Sequence, residues 1–501
     1  MANPDHLERL AAGADAWNAW RQENPAIQPD LSNADLRRTD LIGVHLQNAD
    51  MQGADLNGET IADADLTGAN LENANFERAV LSASQLNGAR LKAANFREAN
   101  LRQIDLSDAD LEGAVFRRAS LDEVGFENAN LTGAFFFGAR FRYARFSNAV
   151  LRDVNLFQTR LANAQFSDAE LIGANLRNTD LTGANFSRAV LRGADISGAN
   201  LTNAVLAEAD LRGAEAEEAV LNGANLQNAR LERVRLVSAR LESADMSNAG
   251  LANANLAGAV LEKTILTGAN MRAAALENAR IQDAQIYGAA MWGLRGSPAV
   301  EERLILTPTD GPLVSVDGLP LAQFIYFLIH TSDAQNFIQS ASLKTALICG
   351  RFSEHSQRFL AAARAALQGR GLHPVMFDMR GPTIRALGDG FLNLARMSAL
   401  TVVDMTGIST LPEPMSAAVE EGALMQPVVD KSRWTEWREM PQLRARFRNA
   451  LPTRAYDSSK PDASFLGESL RRTTVKTAID ATSADPKRAQ AAPAGPPTGT
   501  A

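Results

Sequence analysis

The chain has 501 residues, a formal net charge of −8, 22% charged and 46% hydrophobic side chains, which is the balance of an ordinary folded protein rather than a disordered one. No apolar run approaches the ~18 residues that cross a bilayer, and MANPDHLERL lacks a basic segment followed by an apolar core, so neither a spanning helix nor a signal peptide is expected. The single cysteine, Cys349, excludes an internal disulfide and suits a reducing, cytoplasmic setting.

Residues 5–24 predict one amphipathic helix, with Leu7, Leu10, Trp17 and Trp20 inward, ending before Pro25. The helix is expected to cap whatever follows, giving an N-terminal segment over 1–28. Its apolar face is short, and Asp5, Glu8 and Asp15 would oppose anionic lipid, so no membrane contact is expected.

From 29 to 293 a five-residue unit repeats without a slip for 53 units, as in ADLTG ANLEN ANFER over Ala64–Arg78. The third position is Leu, Phe, Ile or Met throughout, Ala216 excepted; the first is usually Ala, the second often Asp or Asn, the fifth often Gly or Asn. A helix turns about 100° per residue, so apolar residues five apart would make no stripe. A strand alternates with period two and does not fit either. A coil with short sides and a corner every five residues fits, with third and first positions inward. Phe76, Phe96, Phe116 and Phe136 recur every twenty residues, as do Phe126, Phe146, Phe166 and Phe186, so four sides per coil would stack each series into a column. The repeats then give about 13 coils, roughly 60 Å long at ~4.8 Å per rung.

On this motif the chain resembles the pentapeptide-repeat family, which implies a right-handed quadrilateral β-helix, an all-β solenoid. Ala14–Pro25, ADAWNAWRQENP, also resembles the lead-in of bacterial members. Some members mimic duplex DNA and bind type II topoisomerases through a strongly acidic surface. Residues 29–293 carry 34 acidic and 25 basic side chains, net −9, and Arg230, Arg235 and Arg240 fall on three successive sides, so nucleic-acid mimicry is a minor expectation. Glu59 takes an inward first position, where a charge is costly, and a bulge or exposed corner is expected there.

Outward fourth positions followed every twenty residues bring Arg97, Arg117, Phe137, Phe157 and Arg177 into one column, with Val115 and Phe135 beside it and Arg118 adjacent. Outward aromatics next to arginines have the composition of an interface core, so a protein partner or a second copy is expected on this wall.

After Gly293 the rhythm stops. Residues 294–343, with Leu304–Leu306, Leu313–Val316 and the run Leu321–His330, are expected to form a C-terminal cap and linker. Over 344–451 short apolar runs alternate with helical ones: strands at Thr345–Cys349, Pro374–Asp378, Leu400–Asp404 and Gln426–Val429, helices near 355–369, 383–398, 414–422 and 434–450. That alternation predicts a small α/β domain on a parallel sheet. From Pro452 the Pro-, Ala-, Ser- and Thr-rich chain predicts a disordered tail to 501.

In such a sheet, ligands bind at the carboxyl ends of strands, which places Gly350, Arg351, Asp378, Asp404, Thr406 and Asp430 at a candidate cleft. LICGRFSEHSQRF, HPVMFD and LARMSALTVVDMTG resemble the flavodoxin-like domain appended to bacterial pentapeptide-repeat proteins, and more loosely Toll/interleukin-1-receptor-like and nucleoside deoxyribosyltransferase-like domains. The wider resemblance implies either an interaction domain or cleavage of an N-glycosidic bond, with NAD as substrate rather than cofactor. A carboxylate would have to meet the ribose carbon, and Glu413 and Glu354 are the candidates. The family's usual glutamate position falls on Pro414 here, so Glu413 is displaced by one, while Glu354 also reads as a residue opening a helix. No GxGxxG, P-loop or zinc spacing is present, and the five histidines are scattered. The expected function is a protein-interaction scaffold carrying a small signalling or regulatory domain, with the glycohydrolase as alternative.

Overall fold

The computed structural model describes residues 2–308, 313–330, 345–351, 356–378, 391–392, 394–395, 397–406, 408, 413–420, 423–438, 451–457 and 466. Two compact units divide the chain, Met1–Leu304 and Ile305–Ala501.

The first unit begins with two helices where one was expected, α1 (Pro4–Ala11) and α2 (Ala14–Glu23), broken at Gly13, whose φ of 101° suits glycine. Asn3 caps α1 through its side chain, which accepts from the Asp5 amide at 3.0 Å, and Pro4 opens the first turn. The pair covers the first coil through its exposed backbone groups. Buried Trp17 donates Nε1–H to the His45 carbonyl at 2.8 Å, Asn18 donates to Gly43 O at 2.9 Å and accepts from His45 N at 2.8 Å, and Arg21 donates to Gln47 O at 3.0 Å. Groups that would form an open β edge are thereby satisfied.

Beyond the helices the chain is a β-helix. Second-position residues pair in parallel with those twenty residues on, from Asp30 with Asp50 to Ala275 with Arg295, with one exception at Asp40. Twenty residues make one coil of four sides. The third-position side chains and the first-position alanines fill the interior. Most corners close with a bond such as Ala54 N to Met51 O at 3.0 Å, and the fifth position has positive φ, 67° at Gly53 and 58° at Asn73, which accounts for its Gly and Asn. Second-position Asp and Asn are explained as well: their Oδ1 accepts the fourth-position amide, as in Asp105 with Ser107 at 2.9 Å and Asp195 with Ser197 at 3.0 Å.

The phenylalanines form the two columns expected. Centroids of Phe76, Phe96, Phe116 and Phe136 lie 4.9, 4.9 and 4.7 Å apart in stacked geometry, and those of Phe126, Phe146, Phe166 and Phe186 lie 5.0, 4.8 and 4.7 Å apart. The columns meet edge to face, Phe116 on Phe126 at 5.9 Å. Glu59 keeps the phase and is half-buried, with its carboxylate accepting from the Arg38 amide. Beside it, among the described residues, the rung that the spacing would place between Asp40 and Thr60 is absent.

The solenoid does not end at Gly293. Arg295 still bridges Ala275, and Val300–Glu302 pairs with Arg280–Gln282, so the repeat geometry outlasts the repeat sequence.

In the second unit the order is β1 (Val314–Val316), α3 (Leu319–His330), β2 (Thr345–Gly350), α4 (Gln357–Gln368), β3 (His373–Asp378), β4 (Leu400–Asp404), α5 (Glu413–Glu420), β5 (Met425–Asp430), α6 (Trp434–Arg438) and β6 (Arg454–Tyr456). These strands lie in the sheet order β6-β5-β4-β2-β3-β1, parallel except for antiparallel β1. Two boundaries read from sequence therefore move. Val314–Val316 pairs with Phe377–Val375 and belongs to this sheet, not to a cap or linker ending at 343. Arg454–Tyr456 pairs with Val428–Asp430 and belongs to the domain, not to a tail starting at 452. Both segments have only three residues, too few for a periodic signal. The helices expected near 383–398 and 434–450 fall largely outside the described residues. On α4, Phe359, Leu360, Ala363 and Leu367 pack with Ile348, Val402, Val428 and Tyr456 in the core.

Candidate interaction surface and strand-end cleft

The outward wall follows from an interruption in a side-chain ladder. On this side the second positions begin as a polar stack, Asn75 donating to Asp55 at 3.0 Å and Asn95 to Asn75 at 3.0 Å. The next two rungs are Val115 and Phe135, after which Asn155 and Asn175 resume the polar residues. Phe135 is 48% exposed and Phe137, at the fourth position of the same side, 43%. With half-buried Phe157 they line a depression of about 430 Å³, closed by Arg117, Arg177 and the two asparagines. The Arg117 guanidinium lies 5.9 Å from the centre of the Phe137 ring, a cation–π contact. Arg177 instead pairs with Asp195 at 3.1 Å, and Arg97 lies 3.6 Å from Glu98. The structure thus brings Phe135, Phe137, Phe157, Arg117 and Arg177 together, with Val115 on the next rung and Arg97 at the margin.

A larger recess of about 870 Å³ lies among Gln103, Asp105, Glu123, Glu127, Tyr143 and Arg145. Most residues lining it are of polar or charged type, and Arg145 is tied to Glu127 at 2.5 Å. Tyr143 stands 66% exposed there at a fifth position with φ of 55°, a conformation aromatic residues seldom adopt. Sequence reading passed over Tyr143; an aromatic where Gly or Asn is usual was the signal. Elsewhere arginines and acids interleave, as in Arg188–Asp168 at 2.7 Å, Arg152–Glu170 at 2.6 Å and Arg235–Glu215 at 3.0 Å.

At the carboxyl ends of the strands the arrangement is closed around Asp404. Gly350 ends β2 beside it, and a Cβ there would stand 3.0 Å from the Asp404 Cβ. Asp404 is buried; its Oδ1 accepts from the Thr406 amide at 3.0 Å and its Oδ2 accepts from the Tyr456 hydroxyl at 3.0 Å. Burial pushes the Asp404 carboxyl above the ordinary range, opposed by the Thr406 and Tyr456 hydrogen bonds. Asp378 and Asp430 are buried too, Asp430 accepting from Ser432 N at 2.8 Å, while Arg351 is exposed. Tyr456 was missed because its strand was read as tail. Glu354 lies outside the described residues, and Glu413 opens α5 without a described side chain. Cys349 is buried, and burial pushes its thiol up, away from a nucleophile's range.

Among the described residues no group of three or more His, Cys, Asp or Glu side chains could hold a metal ion, and no helix is long and apolar enough to cross a membrane.

Comparison with known proteins bears on the first unit. The family model described as Pentapeptide repeats (8 copies) matches residues 27–58, 62–97 and, in overlapping copies, 99–293. No curated protein matches the chain. Among solved structures, HetL, a pentapeptide repeat protein involved in heterocyst differentiation regulation from the cyanobacterium Nostoc sp. strain PCC 7120, is 26% identical with a TM-score of 0.24, covering 53% of this chain and 91% of that one. QnrB1, a plasmid-mediated fluoroquinolone resistance protein, is 23% identical with a TM-score of 0.20, over 34% and 86%. A pentapeptide repeat protein of the Arabidopsis thaliana thylakoid lumen is 36% identical with a TM-score of 0.15, over 20% and 68%. With scores this low, the family model carries the assignment.

Proposed function

The chain belongs to the pentapeptide-repeat family, and on that premise we propose that it is a protein-interaction scaffold. Its right-handed β-helix docks a protein partner on the wall of Phe135, Phe137 and Phe157, and the same chain carries a small flavodoxin-like regulatory domain. One observation carries the docking site: apolar aromatic rings are exposed on rungs where neighbouring coils present hydrogen-bonded asparagine. A β-helix closed by i to i+20 pairing is a rigid platform, because each coil is held by the next along its whole perimeter.

For the second unit, the five parallel strands in chain order stand as 2-1-3-4-5, the order of flavodoxin-like sheets, which supports that reading. In sheets of that order the ligand crevice opens between the first and third strands, here β2 and β4. Gly350 and Asp404 pack closely there and Tyr456 engages the carboxylate, a filled arrangement that favours a regulatory over a glycohydrolase role. The buried lone cysteine suits the cytoplasm.

Replacing Phe137 and Phe157 together by Ser is expected to leave the far-ultraviolet circular dichroism and thermal midpoint of the solenoid within a few degrees of the parent, since exposed side chains contribute little to folding. The same variant is expected to lose the partners that the parent recovers by affinity capture in its native cell extract, or its self-association in sedimentation. Unchanged capture together with unchanged sedimentation would sink the docking reading.

A further inference from the structure

Resting on the docking surface proposed above, we infer that its partner presents an acidic segment with an apolar side chain: Phe135, Phe137 and Phe157 receive the apolar group, and Arg117 and Arg140 take the carboxylates. The charge pattern marks the patch. Of the six solenoid arginines with no carboxylate within 4.0 Å among the described residues, Arg38, Arg233 and Arg272 lie elsewhere, and Arg117, Arg140 and Arg160 fall within three consecutive coils. Most solenoid arginines lie against a carboxylate, Arg188 on Asp168 at 2.7 Å and Arg212 on Asp210 at 2.6 Å among them. Among the described residues no carboxylate comes within 4.0 Å of Arg117, Arg140 or Arg160. Arg117 lies over the Phe137 ring instead. Arg140 and Arg160 sit directly opposite each other on adjacent rungs, a like-charge pairing that costs stability unless a counter-charge joins it.

The nearby acids are engaged elsewhere. Asp122 pairs with Arg142 at 3.2 Å, Glu98 with Arg78 at 3.0 Å, and Asp180 accepts both the amide and the hydroxyl of Thr182 at 3.2 and 2.7 Å. The corner between Phe137 and Arg140 is Gly138, beside which the Arg118 side chain passes, its Cγ 3.4 Å from where a Cβ would stand and its guanidinium 3.7 Å from Glu98. A net-negative solenoid therefore holds unpaired cations here, Arg117 on the Phe137 ring and Arg140 on the side that follows Phe137 along the chain. A wholly apolar partner would desolvate Arg117 and Arg140 without compensation, whereas carboxylates would pair with them at a dry site. The chain's own stretch 458–501 has six basic and four acidic residues, the wrong balance to fill this patch.

The test is selection of displayed random peptides on the full chain, with counter-selection on the Phe137→Ser/Phe157→Ser variant. Enriched peptides are expected to combine Asp or Glu with an apolar residue and to carry net negative charge. A synthesised member should bind about tenfold or more weakly to Arg117→Ala/Arg140→Ala, and should weaken as salt rises from roughly 0.05 to 0.5 M. Neutral or basic peptides that still require Phe137 and Phe157 would overturn the acidic partner while leaving the docking surface standing. Enrichment indifferent to both phenylalanines, or none at all, would overturn both. Self-association that blocks the peptide and vanishes in the aromatic variant would assign the wall to a second copy, and binding of a duplex DNA fragment through the same arginines would assign it to nucleic acid; each overturns the acidic segment.

Discussion

Phe116→Ala is expected to cost the solenoid about 3–5 kcal/mol, the range for emptying a buried phenylalanine site. Phe116 is fully buried, stacked on Phe96 at 4.9 Å and Phe136 at 4.7 Å, and meets Phe126 edge-on at 5.9 Å. Its removal deletes contacts on three sides at once. The backbone cannot collapse to fill the space, because each flanking coil is fixed by rungs twenty residues apart. Phe116→Leu should cost much less, about 1–1.5 kcal/mol, since leucine occupies this position in most units. Exposed Phe137→Ala should stay within about 0.5 kcal/mol of the parent. In a one-dimensional array the damage stays near the lesion, so hydrogen exchange should accelerate in coils adjoining residue 116 and remain unchanged near residue 250. A cost below about 1 kcal/mol, or loss spread evenly over the array, would show that the stacked columns do not hold the coils together.

The reason the solenoid was legible bears on what was not. A third-position apolar residue, repeated in phase for 53 units, fixes the coil size through the twenty-residue Phe spacing, and the ladder from Asp30 onward follows it. The outward wall was legible for the same reason: a known period turns Phe137 and Phe157 into neighbours, and they line one depression. Where period fails, so does reading. Val300–Glu302 continues the coil through backbone pairing alone, with no inward leucine to announce it. Gly13 splits the first helix because its φ of 101° lies outside the helical region, whereas the apolar pattern runs on across it. In the second unit, β2 to β5 were visible as apolar runs, but β6 lies beyond Pro452 in a stretch whose composition reads as disordered, and Tyr456 was lost with it. The closing of Asp404 depends on that residue, so the most informative contact at the strand ends was the least accessible from sequence.

Tyr456→Phe is expected to destabilise the second unit by about 1.5–3 kcal/mol at neutral pH, the cost of removing a hydrogen bond to a charged group, and by little at acidic pH. The ring would be retained, stacked 4.0 Å from Phe359, and only the hydroxyl that donates to Asp404 Oδ2 at 3.0 Å and lies 3.3 Å from Thr406 Oγ1 would be lost. The pH dependence follows from the raised carboxyl of buried Asp404. A folded-state value above the unfolded one means the native state binds the extra proton, so this contribution is full below the ordinary value of 3.8 and is lost as pH climbs through the raised one. Removing a donor to the ionised form raises the folded value further and extends the loss to higher pH. The gap between parent and Tyr456→Phe should therefore open as Asp404 ionises. Asp404→Asn, which carries no charge to desolvate, should flatten this slope and protect the unit at neutral pH relative to Tyr456→Phe. The measurement is hydrogen exchange of peptides covering Leu400–Asp404 across that pH range, corrected for intrinsic rates, because a chain of two units has no single unfolding midpoint. A gap that stays constant from acid to neutral pH would mean that Tyr456 stabilises the sheet by packing alone, and that the buried carboxylate does not set the pH response of this domain.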